Sequence, residues 1–237
     1  MSRTKSDDLL ADIYALGMLD DAWARVRGNN GCAGGDGETI AGFQNRAANR
    51  ITALSNALKT GSYRPRDLRI LHIPKRSGGT RPLAIPSISD RVAQTACAMV
   101  LTPILDPQFE DSSYAYRPGR SVTMAVRRIG QLRKNGFTHV VEADILRCFE
   151  RIPHDPLLSR LEQMLHGQHG TDRVIDLIAH WLEHGAAAFG TPSLGLAQGS
   201  PISPLLSNLY LDRLNSTLDG KGVAVVRFGD DFVLLSR

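Results

Sequence analysis

The chain is poor in cysteine and has no long apolar runs. Its 237 residues include three cysteines, Cys32, Cys97 and Cys148, whose spacing matches neither a zinc site nor a disulfide framework. We therefore expect free thiols in a reducing compartment. Nowhere do about eighteen apolar residues run together, and the N-terminus MSRTKSDDLL has no apolar signal core. The sequence thus predicts a soluble, cytoplasmic protein with no membrane partner.

Acidic residues are missing from one long stretch. Lysine plus arginine exceeds aspartate plus glutamate by 28 − 24 = +4, a small excess whose distribution matters more than its size. From Ser112 to Asn135 there is no acid, and the cations there are Arg117, Arg120, Arg127, Arg128, Arg133 and Lys134. Such a stretch attracts phosphate backbones. The alternative is an ordinary solvated helix face.

The last sixteen residues, Gly222–Arg237, read GVAVVRFGDDFVLLSR. Two β-branched, apolar runs flank a glycine and two adjacent acids, which predicts a β-hairpin with Asp230 and Asp231 at its tip. Two carboxylates 4 Å apart repel by about 4 kcal/mol at an effective dielectric of 20, so such a pair takes up a proton or a cation. The alternative is a solvated turn, where aspartate is common.

A third acid, Asp144, follows a strand-like run in THVVEADILRCFERIPH. Three carboxylates at two strand ends suit Mg²⁺, and a pair of such ions is the usual apparatus of phosphoryl transfer. Glu142 lies two residues earlier on the same predicted strand, and we expect it to pair with an arginine instead of a metal.

Periodicity and turn residues predict alternating helices and short strands, with no repeats or low-complexity linker. A hydrophobic content of 42% suffices for one large domain or two subdomains. The predicted helices span 6–27, 39–60, 89–105, 122–134, 156–165, 172–184 and 203–218. The predicted strands span 68–73 and 81–85, joined by a basic turn, then 138–145 and the terminal hairpin.

Six collinear segments resemble reverse transcriptases of the prokaryotic group II intron type. From about Trp23 to the end, they are GNNGCAGGDGETI, YRPRDLRILHIPKRSGGTRPLAIPSISDRVAQ, SSYAYRPGRS, EADILRCF, GLAQGSPISPLLSNLYLDRL and RFGDDFVLL. The resemblance implies an α+β, right-hand polymerase fold. Fingers would occupy 1–135, with a basic β-hairpin at 66–86. A palm with an antiparallel sheet backed by helices 156–184 and 203–218 would occupy 136–237.

The resemblance also implies an activity, RNA-directed DNA synthesis. Asp144, Asp230 and Asp231, with the main-chain carbonyl of Ile145, would coordinate two Mg²⁺ ions, for which Mn²⁺ can substitute. A primer 3′-hydroxyl would attack the α-phosphate of a deoxynucleoside triphosphate on an RNA template, and pyrophosphate would leave. Asp231 is the weakest of the three candidate ligands, because neighbouring side chains on a strand point apart.

Further site residues follow from the same resemblance. Lys75 and Arg81 on the basic hairpin would bind the triphosphate, and Gln198 and Gly199 would lie against the nucleotide. Phe149, five residues after Asp144, would block a ribose 2′-hydroxyl and so select deoxynucleotides. The alternatives are surface charge for the two cations and a core position for Phe149.

Two features depart from the family pattern. The family usually has Tyr-Ala-Asp-Asp at the tip of the hairpin, where this chain has Phe228 and Gly229 before the acids, and we expect activity to survive the lost hydroxyl. The family also continues beyond this point with a helical thumb. We therefore expect the thumb to be absent here and weak primer extension by the chain alone. The alternatives are a gene fragment, one part of a split polymerase, or a short form for which a protein partner supplies the grip on the duplex.

A non-catalytic RNA-binding or assembly subunit, maturase-like or part of a split enzyme, is the alternative function. Retention of three mutually repelling acids favours the polymerase. Mobile introns, CRISPR adaptation and antiviral defence are all settings of such enzymes, and no residue chooses among them.

Overall fold

The computed structural model describes residues 8–74, 78–218 and 222–237, and in these ranges the chain forms ten α-helices and five β-strands. The helices are Leu9–Tyr14 (α1), Leu16–Gly28 (α2), Ile40–Gln44 (α3), Ala47–Thr60 (α4), Ile88–Leu105 (α5), Val122–Lys134 (α6), Cys148–Arg151 (α7), His154–Met164 (α8), Thr171–Phe189 (α9) and Ser203–Leu218 (α10). The strands are Arg69–Pro74 (β1), Thr80–Ile85 (β2), His139–Asp144 (β3), Val223–Phe228 (β4) and Asp231–Ser236 (β5). The predicted mixture of helices with antiparallel strands is confirmed.

Helix α5 is the central element of the N-terminal half and packs against α1, α2, α4 and α10. Its start is capped by Ser87, whose hydroxyl accepts a hydrogen bond from the Asp90 amide at 3.1 Å. Burial extends around most of the helix, with Val92, Ala96 and Leu101 fully inaccessible to solvent. An apolar helix of this length can be buried on several sides at once, which explains its central position.

Two predicted helices are each broken into two. The helix predicted over 6–27 divides at Ala15, which has an extended ψ of 129°. The Ser55 hydroxyl donates to the Tyr14 carbonyl at 2.7 Å, a carbonyl that a continuous helix would use internally. The helix predicted over 39–60 divides in the same way into α3 and α4 at Arg46, whose φ of −131° is not helical.

The first pair of strands forms the hairpin that the sequence predicted. Strands β1 and β2 are antiparallel and pair from Arg69 with Ile85 to Pro74 with Thr80. The hairpin is fastened to the C-terminal half by one backbone bond, in which the Ala84 amide donates to the Gln198 carbonyl at 2.7 Å. The loop around Gln198 therefore lies directly against β2.

The second sheet has the antiparallel order β3-β5-β4. Helices α6 and α10 pack against β4, and a small apolar cluster that includes Tyr114, Leu132, Val226 and Leu235 fills the space beneath the sheet. The predicted terminal hairpin and its predicted neighbour, the strand that ends at Asp144, are both confirmed. This sheet is the frame on which the acidic residues sit.

One hydrophobic core unites the two halves of the chain. It contains Leu19 and Ile88 from the N-terminal half and Leu157 and Ile178 from the C-terminal half. The division into fingers at 1–135 and palm at 136–237 thus stays a prediction about roles. Among the described residues, no helix combines the length and apolar character that a membrane crossing requires.

Candidate functional site

The end of the three-stranded sheet brings the three aspartates together. Asp144 is the last residue of β3 and pairs directly with Asp231, the first residue of β5. Opposed residues of an antiparallel pair lie about 4.5–5.5 Å apart at Cα and project to the same face. Asp230 occupies the turn immediately before Asp231. This juxtaposition is the one that a shared site requires.

The turn between β4 and β5 depends on its glycine. Phe228 pairs with Asp231, so Gly229 and Asp230 form a two-residue connection. Gly229 has a φ of +74°, the left-handed conformation that tight hairpin turns use and that side chains with a Cβ rarely adopt. The sequence predicted this role for Gly229, and the structure confirms it.

The charges at this sheet end repel one another. Burial raises the pKa of the Asp231 carboxyl, and the negative charges of Asp230, Asp144 and Glu142 raise it further. The salt bridge predicted between Glu142 and an arginine stays a prediction. A cation placed among these carboxylates would lower the electrostatic energy of the folded protein.

The donor chemistry of the acids fits a divalent metal, but the site is not ready-made. Carboxylate oxygens are the hard ligands that Mg²⁺ and Mn²⁺ prefer. Within the described residues, however, no three side chains of His, Cys, Asp or Glu are grouped closely enough to hold a metal ion. The backbone pairing of Asp144 with Asp231 is in place.

The carbonyl of Ile145, the fourth predicted metal ligand, already has one partner. It accepts a hydrogen bond from the Cys148 amide at 3.1 Å, in the turn that leads into α7. A carbonyl oxygen has two lone pairs, so this bond leaves one acceptor site.

Three predicted nucleotide-binding residues meet where β2 touches the loop before α10. The Arg81 guanidinium donates from Nε to the Gln198 side-chain oxygen. Gly199 has a φ of +117°, and a Cβ there would lie 2.5 Å from the Ala84 carbonyl oxygen. Gly199 thus permits close packing against β2, a structural reason for glycine that the sequence did not reveal. Lys75 lies outside the described residues.

Phe149 lies in the hydrophobic core. Only 8% of its surface is exposed, and its carbonyl accepts a hydrogen bond from the Leu196 amide at 2.6 Å. This placement agrees with the alternative interpretation of Phe149 as a core residue. Its role in excluding a 2′-hydroxyl stays a prediction.

The four arginines predicted to bind nucleic acid have two different environments. Arg117 is buried and donates to Asp106 at 2.7 Å and to the carbonyls of Glu110 and Ser113. Arg120 is half-buried and donates to both the carbonyl and the carboxylate of Asp111. Arg127 and Arg128 are exposed on α6.

The Arg117 guanidinium is bound by protein oxygens, which indicates a structural role in the 106–117 segment. Binding of nucleic acid by the four arginines stays a prediction.

Tyr116 is a residue that the sequence did not single out. It is 57% exposed and has a φ of +59°, a conformation that costs a non-glycine residue about 1–3 kcal/mol and is often found at functional sites. Its ring lies over the turn, because a Cβ on Gly229 would be 3.6 Å from Tyr116 Cε2 and 3.9 Å from its hydroxyl oxygen. Burial and then the Asp230 charge raise the pKa of the Tyr116 hydroxyl, against the opposing charge of Arg81.

Tyr116 also lines a cleft of about 1090 Å³. One wall is formed by α2 and α5, and the other by the 116–120 loop and the residues around Gly199. Arg25, Arg91 and Arg120 contribute to the lining, so the cleft is basic. Its size and charge suit a nucleic-acid strand that passes beside the acidic turn.

Arg227 is the second residue that sequence patterns missed. It precedes the turn on β4 and is fully buried, where it donates to Asn215 at 2.7 Å, to Asn208 at 3.0 Å and to the Gly229 carbonyl at 3.0 Å. The only available signal was a single arginine inside an apolar strand run, VAVVRF. Such a residue has to be buried with partners or to break the strand pattern.

Comparison with known proteins places the chain in one family. Residues 73–237 match the family model described as reverse transcriptase (RNA-dependent DNA polymerase). That match includes all three aspartates and both predicted strands of the acidic hairpin.

Two curated relatives are much longer than this chain. Protein YkfC of Escherichia coli is 34% identical over 192 residues, which cover 78% of this chain and 49% of that protein. The group II intron-encoded protein LtrA of Lactococcus lactis is 30% identical over 226 residues, which cover 90% of this chain and 36% of that protein. The chain therefore spans half or less of the length of these relatives.

A solved structure shares the fold over almost the entire chain. A protein in the partial Cas6-RT-Cas1–Cas2 complex superposes with a TM-score of 0.61 and 26% sequence identity, over 99% of this chain and 39% of that one. The predicted fingers and palm fold is supported by this neighbour.

Proposed function

The chain belongs to the reverse transcriptase (RNA-dependent DNA polymerase) family, and we propose that it carries the nucleotide-adding site of an RNA-directed DNA polymerase. The observation that supports this most is the pairing of Asp144 with Asp231 across β3 and β5, with Asp230 in the adjoining turn. Carboxylates of like charge held at one end of a sheet repel one another, and a binding module has no need of that cost.

We assign the metal-binding role to Asp144, Asp230 and Asp231, with the Ile145 carbonyl as a further oxygen donor. Two bound Mg²⁺ ions, or Mn²⁺ in their place, would activate the primer 3′-hydroxyl and neutralise charge on the triphosphate. Asp144 and Asp231 occupy paired backbone positions. Rotation of the side chains would bring the carboxylates to a common metal.

The incoming deoxynucleoside triphosphate is proposed to bind where Arg81 meets Gln198. Arg81 would exchange its bond to Gln198 for the phosphates, since a guanidinium suits phosphate oxygens better than a neutral amide. The amide of Gln198 would then be free for the nucleotide. Lys75 would bind the same phosphates from the hairpin turn, and Phe149 would limit the space for a 2′-hydroxyl from within the core.

The RNA template and DNA primer are proposed to follow the basic cleft and the exposed face of α6. Arg127 and Arg128 can contact backbone phosphates without breaking any protein bond, because both are exposed. Affinity that depends on such contacts should fall as salt rises.

We also propose that the chain works in the cytoplasm beside a protein partner that grips the duplex. The solved neighbour that belongs to a Cas6-RT-Cas1–Cas2 complex supports a protein partner. A partner-dependent subunit is thus the second candidate, and it uses the same site.

The test is incorporation of dTTP on poly(rA)/oligo(dT) with Mg²⁺ or Mn²⁺, by the complete chain. We expect Asp230→Asn to lower the rate by about a hundredfold or more, because metal stabilisation of transition-state charge is worth several kcal/mol and 1.36 kcal/mol is tenfold. The control is Glu162→Gln, which neutralises an exposed carboxylate on α8. Equal rates for wild type and Asp230→Asn would overturn the proposal.

A further inference from the structure

We propose that Arg227 is a positioning residue that sets the catalytic turn, an inference that rests on the proposed function. The side chain is fully buried and its Nη1 donates to the Gly229 carbonyl at 3.0 Å. That bond reaches the residue just before Asp230. The same guanidinium is tied to α10, through Asn208 at 3.0 Å and Asn215 at 2.7 Å. These hydrogen bonds therefore fix the position of Asp230 relative to α10.

The same residue also fastens the segment that carries Tyr116. The Arg227 amide donates to the Ser112 carbonyl at 2.8 Å, and its carbonyl accepts from the Tyr114 amide at 2.9 Å. The side-chain amide nitrogen of Asn208 donates to the Ala115 carbonyl at 2.8 Å. One buried network therefore links the turn, α10 and the residue next to Tyr116.

The chemistry of the network indicates more than stability. Arg227 donates to three neutral oxygens, and burial lowers the pKa of its guanidinium to about 10 despite the favourable charge of Asp212. A buried cation held by neutral groups is costly, and apolar residues often replace such groups without loss of stability. What apolar residues cannot do is hold the Gly229 carbonyl in place.

Hydrogen exchange followed by mass spectrometry tests the positioning without any need for activity. We expect Arg227→Lys and Asn208→Ala to speed exchange at 112–116 and 226–232, and to leave α9 unchanged. Asn208→Ala removes both an acceptor for Arg227 and the donor to Ala115, so it decides the matter if Arg227→Lys does not fold. Unchanged exchange at both segments in a folded variant would overturn the proposal.

Kinetics test whether the positioning matters for the reaction. We expect both variants to lower kcat for dTTP incorporation tenfold or more with KM within about twofold, since displacement of a reacting group by 1 Å can cost a hundredfold. The control is Arg213→Lys, an exposed arginine on the same helix as Asn208. An unchanged kcat despite faster hydrogen exchange would show that Arg227 has a structural role and no role in positioning for the reaction. If the wild type shows no incorporation, the proposed function fails and the exchange result still stands.

A separate observation assigns Tyr116 to the binding of the primer-terminal nucleotide. Its exposed ring lines the cleft and lies over Gly229, the residue just before Asp230. Its hydroxyl, 3.9 Å from the Cβ position of Gly229, is therefore placed to donate a hydrogen bond to a nucleotide held beside the acidic turn.

A binding experiment tests this assignment. We expect Tyr116→Phe to weaken binding of a fluorescent oligo(dT) primer on poly(rA) by about three- to tenfold, the effect of one hydrogen bond. Wild-type affinity in Tyr116→Phe would overturn the assignment. Anisotropy reports binding without turnover, so the outcome is independent of the polymerase activity.

Discussion

The acidic sheet end and the junction of β2 with the loop before α10 solve opposite electrostatic problems. At the sheet end, Asp144, Asp230 and Asp231 carry charge of one sign, and burial together with the charges of Asp230 and Asp144 raises the pKa of Asp231. At the junction, the Arg81 guanidinium donates to the side-chain oxygen of Gln198, and the Ala84 amide donates to the Gln198 carbonyl. The carboxylates of the first region would be stabilised by a cation from outside the described residues. The polar groups of the second region are already hydrogen-bonded to each other until a ligand displaces those bonds.

This difference teaches where binding energy has to come from. A cation at the sheet end gains attraction and removes repulsion at once. Under the proposed function, a nucleotide at the junction would first have to break the contact between Arg81 and Gln198. The proposal therefore implies that the charges of the fold promote metal binding, whereas an internal hydrogen bond opposes nucleotide binding.

The largest expected effect is on turnover and comes from the acidic end. Asp144→Asn should lower dTTP incorporation by about a hundredfold or more while leaving the protein folded, because it removes a ligand and also a source of repulsion. Glu142→Gln, two residues away on β3, should change the rate by only a few fold. Comparable losses of primer-extension rate in the two variants would contradict the assignment of Asp144 as a metal ligand and of Glu142 as a neighbouring residue.

An intermediate effect is expected at the junction. Gly199→Ala places a Cβ 2.5 Å from the Ala84 carbonyl oxygen at a φ of +117°, and it should destabilise the protein by about 1–3 kcal/mol. Gly130→Ala is the matched control, since Gly130 lies on α6 with nothing within 4 Å. That change should stabilise by about 0.5–1 kcal/mol. Urea unfolding measures both, and a neutral Gly199→Ala would show that the junction is loosely packed.

The smallest expected effect is a pH dependence of stability at the acidic end. The pKa of Asp231 in the folded protein lies above the ordinary value of 3.8, so the folded state binds the proton more tightly than the unfolded chain. Stability is then lost as pH rises through the acid range and the carboxyl ionises. The Asp231→Asn variant lacks the ionisable carboxyl group and therefore the pH dependence that it causes.

The free energy of unfolding of Asp231→Asn should therefore exceed that of wild type at neutral pH, and the difference should shrink towards pH 3. Glu162→Gln provides the reference for loss of an exposed carboxylate. A difference that stays constant with pH would mean that Asp231 feels no repulsion from its neighbours.

Much of the site could be predicted because local patterns encode it. The alternation around Gly229 specified a hairpin, and the apolar run before Asp144 specified a strand, so the acids had to lie at strand ends. Their direct pairing depends on register, which is set by packing of the whole sheet and is not written in either strand.

The missed features are tertiary. The sequence shows Arg117 and Arg127 as equivalent members of one basic stretch, yet one is buried among carbonyls and the other faces solvent. Asp106 and the carbonyls of Glu110 and Ser113 hold Arg117, whereas Arg127 lies on the exposed face of α6. Tyr116 and Arg227 likewise acquire their roles from segments distant in sequence, Gly229 for the first and α10 for the second.

Binding of Mn²⁺ followed by electron paramagnetic resonance tests the central claim most directly, because it needs neither primer nor turnover. The account predicts that the wild-type chain binds Mn²⁺, that Asp144→Asn and Asp230→Asn each weaken binding at least about tenfold, and that Glu162→Gln binds as wild type does. Equal Mn²⁺ affinity in the wild type and Asp230→Asn would contradict it.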